Sequence, residues 1–409
     1  MRAGGLIRCA ANLWVLPLWL GSPGFAAAAA EPAPCESDAS GAIDAAKLVR
    51  QLGDKSYRRR QQAQRLLGEM GVSVKDALIA ARDDADAEIR FRAGQLLERA
   101  LELDFQRSLE NFVASPPEPA GNDPASEPAA DQVLPGWRRF RQQVGGDLAA
   151  RRLFVEMQRA ERELLAISEA RPRVAGELLE MRCQQLQEAM QPADEEDEVL
   201  TLGSICALLF VAGDPDVELS TQGAAYVNNF SHQTPLQEAI RAGEYVEPLR
   251  SLLGGWVHRR FDDNMVTYQN VQLALRYNLR EALGPAAALA LRKEVPAHLR
   301  PYGVLAMGKL GGKDQLPALE PLLDDATEFT LHGRDNQQTR TQIRDVALAV
   351  MVHLSGQELI DYGFDHFSRN PSWLFNPGSL GFSKPETREK ALAKWRAWAA
   401  SSKGRSRAT

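Results

Sequence analysis

Apolar residues along the chain recur with the 3.6-residue period of a helix, whereas the alternation of a half-buried strand is hard to find. From Ser56 onward, Ala63, Leu66, Leu67 and Met70 fall at i, i+3, i+4 and i+7. Val74, Ala77, Leu78 and Ala81 keep the same spacing, and Ile89, Ala93, Leu96, Leu97 and Ala100 form a third stripe. Gly71 punctuates the first pair, and Asp83-Asp84-Ala85-Asp86 separates the second stripe from the third. Short helices with short connections cannot bury such stripes alone, so they are predicted to pack antiparallel in an all-α fold.

The segments are also copies of one another. Tyr57 to Ala63, continued by Leu66-Leu67, aligns with Glu88-Ile89-Arg90-Phe91-Arg92-Ala93 and Leu96-Leu97, and the step from Ala63 to Ala93 sets the period. Self-similarity at such a period marks stacked-repeat architectures. These residues resemble HEAT repeats, in particular the short HEAT-like type first described in phycobilisome lyases. The run Asp84-Ala85-Asp86-Ala87-Glu88-Ile89-Arg90-Phe91-Arg92-Ala93 is the most specific part. A related pattern returns near the C-terminus, with Gly303 to Gly311 as a first helix and Leu316 to Asp325 as its partner. Gln342-Ile343-Arg344-Asp345-Val346-Ala347 opens the next repeat, and Val350 and Leu354 continue its stripe to Gly356. The step from Ala306 to Ala347 is longer than that from Ala63 to Ala93, consistent with an insertion at Thr327 to Arg340. The resemblance covers about 43–110 and 295–356. It implies an irregular α-solenoid, a HEAT/armadillo-like superhelix with a Pro-rich linker or insertion, and an extended concave face with no deep cleft.

Between the two repeat regions the pattern stays helical without the signature. Residues 114–133 hold Pro116, Pro117, Pro119, Pro124 and Pro128 and are predicted to be a disordered linker or insertion. Leu134 to Met190 reads as two or three amphipathic helices with Trp137, Phe140, Leu153, Phe154 and Met157 as core candidates. Val199 to Val211 is an apolar helix, and Gly213-Asp214-Pro215 is expected to start the next one with Pro at N1. The expected divisions are a signal segment at 1–30, repeats at 43–113, the linker, a helical region at 134–291, repeats with an aromatic cap at 292–400, and a frayed basic tail at 401–409.

Composition changes the picture at the N-terminus. Arg2 and Arg8 precede an uncharged apolar run from Cys9 to Leu20, a Gly-Ser-Pro-Gly break and the small residues Ala26 to Ala30. That layout predicts a secretory signal peptide cleaved after Ala28 or Ala30, and hence a periplasmic or secreted, bacterial-looking protein. An uncleaved anchor is the alternative, although Pro17 and Pro23 suit a spanning helix of about 20 apolar residues poorly. The 48 Lys and Arg against 54 Asp and Glu give a net charge of −6, which argues against a nucleic-acid partner. After cleavage Cys35, Cys183 and Cys206 remain, an odd set that is no disulfide framework; Cys183 and Cys206 are expected to be buried thiols, with a bridge as the alternative.

Candidate chemistry is sparse. The run Asp194 to Glu198 reads as a solvated helix cap rather than a cation site, lacking EF-hand spacing. Gly308 to Asp314 departs from a phosphate loop at Met307 and Asp314, so its glycines read as a turn. The six histidines show no zinc-binding spacing, Ser379 is out of register with a nucleophile elbow, and no cofactor is predicted. Asn229-Phe230-Ser231 is a sequon expected to be fortuitous. The least generic stretch is Tyr362 to Phe382, into which six aromatic residues crowd. It is predicted to cap the last repeat, or alternatively to be a ligand surface. Lys384 to Thr409 carries eight Lys or Arg and two Glu, a basic patch that Arg334 and Arg340 could extend. Arg334, Trp373, Phe375, Lys394 and Trp398 are therefore the candidate interaction residues.

The expected function is a non-enzymatic binding or scaffold protein, its partner an unidentified protein or envelope polymer. Membrane contact is expected only through the N-terminal segment or the basic tail. The family name suggests a second reading, a subunit or accessory factor of a lyase-like enzyme. Those lyases act on cytoplasmic or plastid antenna proteins, which an export signal contradicts. A third reading is an envelope structural protein tethered by its uncleaved N-terminus.

Overall fold

The computed structural model describes residues 45–114, 134–190, 200–329 and 341–406, with side chains up to Ser401. The predicted signal segment, Cys35, linker positions 115–133, the acidic run 194–198, Arg334, Arg340 and positions 407–409 lie outside the described residues. The described chain is mostly helical, as the period predicts. Its strands are two-residue antiparallel pairs: β1 (Glu328–Phe329) with β2 (Thr341–Gln342), and β3 (Arg369–Asn370) with β4 (Leu374–Phe375). Contacts divide the chain into two compact units, Met1–Phe105 and Gln106–Thr409.

In the first unit, α1 (residues 45–51) and α2 (Tyr57–Met70) are followed at the same sequence offset by α3 (Lys75–Ala81) and α4 (Ala87–Ala114). The loops that connect them close alike. The Ser56 amide donates to Asp54 Oδ1 at 2.7 Å, and the Asp86 amide to Asp84 Oδ1 at 2.9 Å. Arg60 Nη1 donates to the Asp54 carbonyl at 2.8 Å, and Arg90 Nη1 to the Asp84 carbonyl at 2.7 Å. Ala63, Leu67, Ala93 and Leu97 bury the matched stripes in one core with Leu52 and Leu78.

The second unit contains α5 (Trp137–Val144), α6 (Leu148–Ala170), α7 (Pro172–Ala189), α8 (Leu202–Ala212), α9 (Thr221–Phe230) and α10 (Thr234–Ala242). It continues with α11 (Val246–His258), α12 (Asn264–Tyr277), α13 (Leu283–Leu291), α14 (Arg300–Leu310), α15 (Leu316–Leu319), α16 (Ile343–Leu354) and α17 (Pro385–Ser406). Trp137, Phe140, Leu153, Phe154 and Met157 are all buried, with the Phe140 and Phe154 rings 4.9 Å apart. The helix α6 kinks at Glu161, whose carboxylate accepts from Arg182 Nε of α7 at 2.8 Å. Helices α7, α9, α12, α14 and α16 are neighbours in that order, and α6, α8, α11 and α13 form a second series. Each of the first four touches its counterpart: α7 with α6, α9 with α8, α12 with α11, α14 with α13. Two glycines permit close approaches of one helix to another. A Cβ on Gly203 of α8 would lie 2.3 Å from the Glu156 carbonyl of α6, and one on Gly303 of α14 would lie 2.5 Å from the Ala286 carbonyl of α13.

Three local expectations are corrected. Gly213-Asp214-Pro215 forms a turn rather than a helix start, and α9 begins only at Thr221 behind the cap Ser220. Asp214 is committed elsewhere: its carboxylate accepts from the Asp216 amide at 2.9 Å and pairs with Arg139, while Arg259 Nη1 donates to the Asp214 carbonyl at 2.8 Å. The partner of α14 is one short helix, α15, followed by a 3₁₀ turn at Glu320–Asp324, because Pro317 and Pro321 sit at the start of each piece. Finally, α17 continues to Ser406, past the point where fraying was expected.

Candidate functional site

The stretch from Tyr362 to Phe382 folds onto α14, α16 and α17. Tyr362, Phe364, Phe375 and Phe382 are buried, with Phe364 and Phe382 in ring contact at 4.6 Å. Phe375 is thus corrected as an interaction residue: it is fully buried, edge-on to His353 at 5.7 Å and to Phe367 at 6.0 Å. A regular strand would turn Trp373, two positions earlier, to the same side as Phe375. The intervening Leu374 takes φ +77°, a left-handed backbone that a branched side chain rarely adopts, and this breaks the alternation. Arg334 lies outside the described residues.

Trp373 is half-buried and joins two residues that the sequence pattern does not single out, Tyr302 of α14 and Tyr268 of α12. The Trp373 and Tyr302 centroids are 4.7 Å apart at 61°, those of Tyr302 and Tyr268 are 5.0 Å apart at 62°, and Tyr268 and Trp373 run nearly parallel at 6.5 Å. Edge-to-face and offset contacts of this kind add about 0.5–1.5 kcal/mol each beyond burial. Gln272, one turn along α12, donates its amide to Tyr268 Oη at 2.5 Å. Burial, with Tyr302 alongside, pushes the Tyr268 phenol up to about 12, so it stays a neutral donor and acceptor at pH 7.

The hairpin that carries Trp373 is tied down by a lysine and by its own amides. Lys309, on α14 with Tyr302, donates its ammonium to the carbonyls of Ser372 at 2.7 Å, Pro371 at 2.8 Å and Leu275 at 3.2 Å. Burial lowers its pKa from the usual lysine value. The Asn370 amide donates to Asn376 Oδ1 at 2.8 Å, and the Asn376 amide to Ser368 Oγ at 2.6 Å. An amide relay also joins α11, α9 and α12: Trp256 Nε1 donates to Asn228 Oδ1 at 3.0 Å, and Asn228 Nδ2 to Gln269 Oε1 at 3.2 Å.

The two remaining candidates sit on α17, in a different setting. Lys394 is exposed; its ammonium donates to the Asp361 carbonyl at 2.6 Å and lies over the Tyr362 ring at 4.6 Å. Trp398 is half-buried and packs on Trp395 at 5.0 Å. A shallow cleft of about 340 Å³ is lined by Glu320, Leu323, Asp324, Trp395 and Arg396. In the first unit an open groove of about 750 Å³ runs between α2 and α4, lined by Gln61, Gln64, Arg65, Gln95 and Arg99 among others.

Cys183 and Cys206 are buried free thiols, their pKa values raised by burial. Among the described residues no cluster of three or more His, Cys, Asp or Glu is placed to hold a metal ion, and no helix is long and apolar enough to cross a membrane. Ser379 Oγ accepts from the Ser368 amide at 2.9 Å and donates to the Asn376 carbonyl at 2.7 Å, a turn role. The chain matches no protein-family model, and no curated protein matches it.

Proposed function

We propose that the chain is an exported binding or scaffold protein built as a HEAT-like α-solenoid, and that it engages its partner through the surface around Trp373, Tyr302 and Tyr268. The observation that carries this reading is the clamped hairpin, in which Lys309 and the Asn370–Asn376–Ser368 network fix Trp373 against two tyrosines from neighbouring helices. Rings fixed before a partner arrives lose little side-chain entropy on binding, and Trp and Tyr dominate interface hot spots. The solenoid part of the reading is supported by the two series of neighbouring helices and by the loop closure at Arg60 that recurs at Arg90. Repeat stacks of this kind offer long binding faces.

The test is affinity capture from the native envelope fraction with the tagged full chain and with a Trp373→Ala/Tyr302→Ala variant. Partners should be retained by the first and lost by the second, at equal helix content. Equal capture by both would remove the surface from the reading. Mass spectrometry of the mature N-terminus tests the export part: a start at Ala29 or Glu31 is expected, and an intact Met1 would refute cleavage.

A further inference from the structure

In the second unit, the start of α12 and one face of α13 border an open groove of about 480 Å³. Gly284, Ala287, Ala288 and Leu291 fall at i, i+3, i+4 and i+7 along α13 and line it together, with Phe261 and Val295 beside them. Leu291 leaves 38% of its surface uncovered, and Ala287 and Ala288 are only half-buried, so the apolar lining meets solvent. The volume falls within the range of about 300–1,000 Å³ that small-molecule sites occupy.

The charged side chains of the lining are Arg260, Arg292 and Asp262, two bases against one acid. Among the described residues neither guanidinium has a hydrogen-bond or ion-pair partner, and Asp262 pairs with neither. Neighbouring charges are engaged or balanced. Arg259 donates to the carbonyls of Ala212 at 2.6 Å and Asp214 at 2.8 Å, and Asp263 Oδ1 accepts from the amides of Met265 and Val266 at 2.8 Å each. Arg280 and Glu281 before α13 offset each other in charge, as do Lys293 and Glu294 after it. Arg260 Nη2 would lie 3.9 Å from a Cβ on Gly284, which puts that guanidinium against the first turn of α13. Arg292 stands at the C-cap, where the carbonyl end of the helix already favours a positive charge.

We propose that this groove binds a medium-chain fatty acid, its carboxylate on Arg260 and its alkyl chain lying along Ala287, Ala288 and Leu291 towards Val295. An apolar trough with one surplus positive charge complements an amphipathic anion, whereas a polyanion needs a stripe of Lys and Arg. A peptide would bring amides that must be satisfied when buried. The neutral hydrogen-bonding side chains of the lining are Asn264 and Thr267, and Thr267 Oγ1 already donates to the Asp263 carbonyl at 2.9 Å. An alkyl chain makes no such demand. The rise from Gly284 to Leu291 is about 10 Å, a length that an extended chain of medium size spans. The groove shares no lining residue with the contact of Trp373, Tyr302 and Tyr268, so the two sites stand or fall separately.

The delipidated full chain is titrated by calorimetry with decanoate below its micelle-forming concentration. Decanol and decyltrimethylammonium serve as probes of the same chain without the charge and with the opposite one. One decanoate per chain is expected, bound about tenfold more tightly than decanol and more tightly still than the cation, with some weakening in high salt. Arg260→Gln should weaken decanoate about tenfold and leave decanol unchanged, while Asp262→Asn should strengthen decanoate about threefold. Ala288→Phe, which fills the groove, should abolish binding of both. Arg260 and Asp262 are exposed, so their variants keep the test decisive even where Ala288→Phe disturbs α13. Absence of saturable decanoate binding overturns the proposal, as does parity with the cation or an affinity that Arg260→Gln leaves unchanged. Trp373→Ala should leave decanoate binding as it is; a loss there would place the ligand at the hairpin and overturn the groove assignment.

Discussion

Asp345 and Arg388 form the most consequential ion pair in the C-terminal region. Arg388 Nε donates to Asp345 Oδ1 at 2.7 Å and Nη2 to Oδ2 at 3.1 Å, with both side chains almost fully buried. The Gln342 amide also donates to Asp345 Oδ2 at 2.9 Å, so one carboxylate starts α16 and fastens α17 to it. Removing one partner of a buried pair leaves an uncompensated charge, which costs about 3–5 kcal/mol. Arg388→Ala should therefore lower unfolding free energy in urea by an amount of that order, whereas a paired Asp345→Leu/Arg388→Met exchange should recover most of it. Two histidines give the fold an acid-sensitive side. His353 is held below the usual histidine value by burial first and then by Arg369, against an opposing pull from Glu358, and His232 by burial and Arg276. Below about pH 6.5 the unfolded chain takes up protons that the folded chain declines, so stability falls on acidification. The urea midpoint should drop as the pH is taken from neutral to mildly acidic, and His353→Gln should make that drop smaller.

At the scale of elements, helices are legible in the sequence because their stripes follow a local rule, and the hairpin is not, because no local rule places it. Trp373 stands out as an aromatic residue in an irregular stretch, but Tyr268 and Tyr302, each on a helix far upstream, give no sign of meeting it. The one available signal is in α14, where Tyr302 and Lys309 share a face of an otherwise buried helix. Phe375 misled for a related reason: an aromatic count does not say which rings of a stretch turn inward, and the break at Leu374 sends Trp373 and Phe375 to different surroundings. Pro215 misled because its neighbour Asp214 has distant partners in Arg139 and Arg259. The elements after Gly356 cover apolar residues of α16 and α14, with Leu359, Phe364, Leu380, Leu392 and Trp395 all buried. A chain ending at Gly356 should aggregate in size-exclusion chromatography with light scattering. A monodisperse truncated protein would contradict the covering role.

For the whole molecule, the helical content follows from periodicity, and far-UV circular dichroism should be dominated by helix. What periodicity could not supply is the order in which helices lie side by side. In the second unit that order depends on close approaches such as α8 on α6 at Gly203, which no spacing announces. The first unit is the opposite case. Its helix pair restarts at a fixed offset, and each restart is closed by an arginine that reaches back to the carbonyl of an aspartate six positions earlier. Such a seam needs nothing from outside its own loop. A tandem duplication of residues 57–86 would then carry its own fastening, so the chain could grow by whole modules, with length free to change while each junction stays the same.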